Sequence, residues 1–300
     1  MKRVIVATLL VVLLGGCSLP LGSAASPTPT TPVQISSEIP FATATLQAEL
    51  PGQPTVESTT SPIPAGTPYS QSGISFVLPS CLASDAAIST LAAVPPDPNG
   101  GPMEFAPEQR VIKFSNYPLS GKFFEPIVRI FPVADYVQMQ ANIQSEVDGL
   151  SALLASHPAA LPDTIPLLPV QMAQQAFHVR ESYLDFQNGS GIAFLTQYAQ
   201  YSPPVNNHDL FYAFQGLTSD GKYWVSAFLP ANIGFLQAAP FAAEVPTDGI
   251  PMPTDATDTA KLAEYYTAVK GLMVSADSNQ YTPDLTCLDA FLQSLKVEAP

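Results

Sequence analysis

The sequence predicts an α+β domain on a mainly antiparallel sheet, with one central and two C-terminal helices. Three observations carry that expectation. β-prone runs cluster before and after one long helical stretch, without the strand–helix alternation of a doubly wound fold. Asp220-Gly221 separates two such runs and marks a hairpin. Two segments near the C-terminus carry apolar residues at intervals of three and four, the stripe of a helix that packs on one side.

The elements follow in chain order. Ile74 to Leu78 alternates and stops at Pro79, as a strand does. Arg110 to Phe114 and Ile127 to Phe131 read as two more strands, punctuated by Pro118, Pro126 and Pro132. Tyr136, Met139, Ile143, Val147, Leu150 and Leu154 then predict one helix, closed by His157-Pro158. Phe177–Phe186 and Gly191–Gln200 form a strand pair around Asn188-Gly189-Ser190. The hairpin joins Leu210–Leu217 to Lys222–Leu229 through Ser219-Asp220-Gly221. Both of its arms are apolar on both faces (Phe211 and Tyr212, Trp224 and Val225), which puts them mid-sheet, covered on each side. A helix from Asp258 to Val274 turns Leu262, Tyr265, Val269 and Leu272 inward. The last runs from Pro283 to Leu295, with Thr282 as N-cap and Pro283 in the first position.

Composition excludes several functions. Hydrophobic residues make up 46% of the 300 residues, enough for a core, and charged residues only 12%, about half the usual roughly 25%. Eleven basic against 25 acidic residues leave a net charge of −14. Such a surface repels a phosphate backbone, so nucleic acid is not an expected partner. It also offers no polybasic membrane patch.

The N-terminus reads as an address. Lys2-Arg3, an uncharged and mostly apolar run from Val4 to Leu14, and Gly15-Gly16 before Cys17 describe a signal peptide over residues 1–16. The run is shorter than the about 20 residues needed to span a bilayer. Leu14-Gly15-Gly16-Cys17 resembles the lipobox of bacterial lipoproteins. The resemblance covers the first 17 residues and implies that Cys17 is thioether-linked to diacylglycerol, becomes the first residue after cleavage, and is usually N-acylated, with palmitate among the acyl chains. The partner it implies is the lipid bilayer, and the location is the extracytoplasmic face of a cell membrane or outer membrane. From Ser18 to Ser70, 27 of 53 residues are Pro, Thr or Ser. That composition predicts a disordered, partly polyproline-II tether over 17–70, reaching on the order of 180 Å when stretched. The expected folded domain is residues 71–300.

With Cys17 lipidated, Cys81 and Cys287 remain, and an oxidising compartment favours one disulfide between them. Motifs for chemistry are sparse. His157, His178 and His208 show no zinc-site spacing. Nucleophile-elbow, phosphate-cradling and dinucleotide motifs are absent from the sequence. Asp255 and Asp258 lack a full calcium loop and read as helix caps. Phe211, Tyr212, Phe214, Tyr223 and Trp224 read as core before sugar platform. No catalytic residue, metal or cofactor is expected. Four long, proline-rich connections stand out: Val94–Pro107, His157–Pro169, Tyr201–Asp209 and Ala239–Thr257. His208-Asp209, on the third, is the candidate ligand-facing pair. The reading that follows is a lipid-anchored extracytoplasmic binding or interaction module for a protein or small-molecule ligand. Its rivals are a hydrolase with scattered catalytic residues and an envelope structural or assembly factor.

Overall fold

A computed structural model describes residues 65–96, 105–242, 244–255 and 257–300. Residues 1–16, Cys17 and the tether up to residue 64 lie outside the described residues. The chain forms β1 (Gly66–Gln71), β2 (Ile74–Pro79), β3 (Asp85–Leu91), β4 (Gln109–Ser115), β5 (Ile127–Pro132), α1 (Val133–Met139) and α2 (Ile143–Ser156). Then come β6 (Gln174–Phe186), β7 (Gly189–Ala199), β8 (Phe211–Thr218), β9 (Tyr223–Pro230), β10 (Asn232–Ile233) and α3 (Thr259–Ser275). A 3₁₀ turn at Ser278–Gln280, β11 (Tyr281–Thr282), α4 (Leu285–Ser294) and β12 (Lys296–Val297) complete it. The fold is α+β on a mainly antiparallel sheet.

Seven strands make the central sheet in the order β3-β4-β5-β9-β8-β7-β6, antiparallel throughout. Side chains alternate across it, so β8 and β9 feed two cores. Phe211, Ala213, Trp224 and Phe228 meet Ile143, Val147, Leu150 and Leu153 of α2 on one face. Tyr212, Phe214, Val225 and Ala227 meet Val269 of α3 and Leu288, Phe291 and Leu292 of α4 on the other. Both hairpin arms are therefore buried on both faces, and the aromatic run lies largely in the core. A smaller sheet, β1-β2-β12, belongs to the second of these layers.

The hairpin turn is fixed by Asp220, whose carboxylate accepts from Thr218 Oγ1 at 2.7 Å and from Lys222 N at 3.1 Å. These bonds favour the ionised form and lower its pKa to about 2. At the sheet centre Trp224 Nε1 donates to Gln215 Oε1 at 2.7 Å, and Leu168 N donates to the same oxygen at 3.1 Å. The connection from His157 to Pro169 is thereby laid onto the sheet and buries Ile165, Leu167 and Leu168.

Several expectations are corrected. β1 occupies residues assigned to the tether. β1 pairs with β2 along its length, and Tyr69, between Pro68 and Ser70, stacks on Phe76 at 5.0 Å and donates to Asp85 at 2.6 Å. The single central helix is two, because the chain turns at Gln140–Asn142 between α1 and α2. In α3 the fourth inward residue is Met273 rather than Leu272. Thr282 belongs to β11, and Asp284 caps α4 by accepting from Thr286 N at 2.9 Å.

Cys81 and Cys287 are brought together as a disulfide pair with Cα atoms 6.3 Å apart. The pair links the turn after β2 to α4, which packs against β2 through the T-shaped contact of Phe76 and Phe291.

Candidate functional site

One polar network organises a pocket beside the sheet. Asn206 is fully buried, and its Oδ1 accepts from the backbone N–H groups of His208 and Asp209 at 3.0 and 3.1 Å. Its Nδ2 donates to Asp209 Oδ2 at 2.9 Å, and the other carboxylate oxygen lies 2.5 Å from His208 Nδ1. Two acceptors cannot approach so closely, so Nδ1 carries the proton. In the neutral imidazole Nε2 is then an acceptor, and it has no hydrogen-bond partner among the described residues. Asn206 is itself held by Gln197 Oε1, which accepts from its backbone N at 3.2 Å.

Neighbouring elements fix the surrounding loops. From α3, Tyr265 OH accepts from Val205 N at 2.9 Å and Tyr266 OH donates to Pro203 O at 2.6 Å. Burial pushes both phenols up from their ordinary pKa, so they stay neutral. Phe123 N donates to His208 O at 3.0 Å, and the two rings meet edge-on at 6.4 Å. Phe124, next in sequence, is anchored on Phe211 and Phe228. Gln237 Nε2 donates to Ala239 O at 2.7 Å, which fixes the start of the loop that carries Phe241.

Around His208 and Asp209 lies a cavity of about 580 Å³. Its walls are Phe123, Gln171–Ala173, Tyr198–Tyr201 and Ala239–Phe241. Phe123, Met172, Tyr201 and Phe241, four of the six large apolar side chains exposed among the described residues, stand on this wall. They are 51% to 87% exposed. Apolar area left in water costs about 25 cal/mol per Å², so such a concentration marks a surface that gains by being covered.

The structure brings together two of the four long loops singled out by sequence, Tyr201–Asp209 and Ala239–Thr257. The loop His157–Pro169 ends just before Gln171 and Met172 and contributes packing instead. Residues 97–104 of the fourth lie outside the described residues. Sequence reasoning missed Phe123, Met172 and Phe241. Phe241 had a signal: a lone aromatic residue among small ones in a long connection. Phe123 and Met172 had none, because their partners are far away in sequence.

The remaining histidines have local partners. His157 ends α2 in a left-handed conformation (φ 41°) and stacks on Tyr183 at 3.9 Å. His178 pairs with Glu181 through Nδ1. Asp255 accepts from Thr257 N at 2.9 Å, and Asp258 caps α3 through Lys261 N at 3.1 Å. No group of three or more metal-ligating side chains occurs among the described residues, and no helix among them is long and apolar enough to cross a membrane.

Fold and site together define an α+β domain with an aromatic-walled pocket over an oriented His–Asp pair. The chain matches no protein-family model, no curated protein and no solved structure.

Proposed function

We propose that the protein is a lipid-anchored extracytoplasmic binding module that takes up an apolar small molecule in the His208 pocket. The observation that carries the reading is the convergence of Phe123, Met172, Tyr201 and Phe241 on one cavity with a single oriented polar pair. A volume of about 580 Å³ falls within the range of roughly 300–1,000 Å³ of small-molecule sites, which are mostly apolar with a few placed polar groups. Binding is favoured over hydrolysis because the His208–Asp209 dyad lacks an aliphatic hydroxyl or thiol beside it: the described wall carries no Ser, Thr or Cys. The lipobox-like Cys17 supplies the anchor, and the Cys81–Cys287 pair suits an oxidising compartment.

The test is binding of N-phenyl-1-naphthylamine, a neutral apolar fluorophore, to the full chain. We expect saturable emission that falls at least fivefold in Phe123→Ala/Phe241→Ala and is unchanged in Val274→Ala, an exposed apolar residue absent from the pocket wall. No saturable signal, or equal signal in all three proteins, overturns the reading.

A further inference from the structure

We propose that the ligand of this pocket is a protonated amine with an apolar or aromatic body. The inference rests on the pocket being a binding site and names what it selects.

Charge comes first. The described wall contains no Lys or Arg. Lys122, next to Phe123, is spent elsewhere: its Nζ donates to Asn207 O at 2.8 Å and to Asn232 Oδ1 at 2.5 Å. Asp209 therefore contributes the formal charge of the wall, on a chain whose net charge is −14. That field raises the local concentration of cations and lowers that of anions.

Aromatic faces point the same way. Phe123, Tyr198, Tyr201 and Phe241 all stand on the wall, and the negative face of such rings attracts a cation, by about 0.5–1 kcal/mol at exposed sites and about 2 or more when desolvated.

The hydrogen bond selects a protonated amine over a quaternary ammonium. Asp209 binds the Nδ1 proton of His208, and Asn206 fixes Asp209 from behind. In its neutral form His208 offers Nε2 as an acceptor beside a carboxylate. An ammonium N–H satisfies that acceptor with a charge-assisted bond, and a carboxylate ligand meets an acceptor and a like charge.

Isothermal titration of the full chain with 3-phenylpropylammonium, 3-phenylpropan-1-ol and 3-phenylpropanoate separates the possibilities. We expect the ammonium to bind at least tenfold more tightly than the alcohol, and the carboxylate not to bind. In His208→Phe and, independently, in Asp209→Asn, the advantage of the ammonium over the alcohol should fall at least fivefold. Unaltered circular dichroism and thermal midpoint show that each variant is folded. Equal affinity for ammonium and alcohol, or preference for the carboxylate, overturns the amine assignment and leaves the apolar-ligand reading standing. Absence of binding by all three probes, together with absence of the naphthylamine signal, overturns both.

Discussion

Asp289 and Tyr212 show how one residue's surroundings set a measurable property of the whole chain. Tyr212 OH donates to the Asp289 carboxylate across the α4–sheet interface. Burial pushes the Asp289 carboxyl above its ordinary value, and the bond from Tyr212 offsets this in part. The folded state therefore binds more protons than the unfolded state between the ordinary carboxylate pKa and the raised one, and stability falls as pH rises through that window. Asp289→Asn, which can still accept from Tyr212, should remove this slope. Urea midpoints of the two proteins at a series of pH values from 3 to 7 check it, and parallel curves would refute it. Asn206 offers a second residue-scale test. It is buried and satisfies two backbone N–H groups and one carboxylate oxygen, so Asn206→Ala should cost about 1–3 kcal/mol by leaving buried groups unpaired. The same substitution should weaken naphthylamine binding, because the loop that carries His208 loses its centre.

Among elements, α4 joins three layers of evidence from sequence to packing. Its stripe of Leu288, Phe291 and Leu295 is legible in the sequence, and all three side chains are buried against the sheet and β2. Phe291→Ala should cost about 3–5 kcal/mol, read from the urea midpoint. Reducing the Cys81–Cys287 pair should lower the midpoint as well, with a loss of stability of up to about 4–5 kcal/mol in the chain-entropy model for so long a loop. An unchanged midpoint after reduction would show that apolar contacts alone dock the helix. Elements with strong periodicity or a turn signal, such as β2, the β8–β9 hairpin and α4, were readable because their pattern is local. β3 was not, because Asp85 to Leu91 carries only Ile88 and Leu91 as large apolar residues among Asp, Ala, Ser and Thr. The two-residue strands β10, β11 and β12 exist through distant pairing, as when Asn188 takes the N–H of Val297 at 2.9 Å and donates to its carbonyl at 2.5 Å. The α1–α2 break was hidden because the apolar spacing continues across it. The pocket was half legible. Length and proline content located two of its loops, whereas Phe123 and Met172 come from connections that carried no cue of their own.

For the molecule as a whole, β1 decides where the domain starts. Tyr69 is tied to β2 and β3 through Phe76 and Asp85, and β1 pairs with β2 along its full length from Gly66 to Gln71. A chain cut after Ser70 loses that strand and exposes the edge of β2, so limited proteolysis should leave a stable core beginning at about residue 65 rather than 71. N-terminal sequencing of the resistant fragment decides between the two. The proposed anchor lies upstream of this core in the sequence. Each buried acyl CH₂ contributes about 0.8 kcal/mol, so one chain holds only marginally whereas two or three hold stably. Cys17→Ala should therefore release the chain from the membrane fraction into the aqueous phase of a detergent partition. It should leave the thermal midpoint unchanged, since the disulfide of the core joins Cys81 to Cys287. Cys81→Ala should behave in the opposite way, retaining the chain in the membrane fraction while lowering the midpoint. Partitioning of the Cys17→Ala chain identical to that of the parent would refute the lipid anchor and leave the binding pocket untouched.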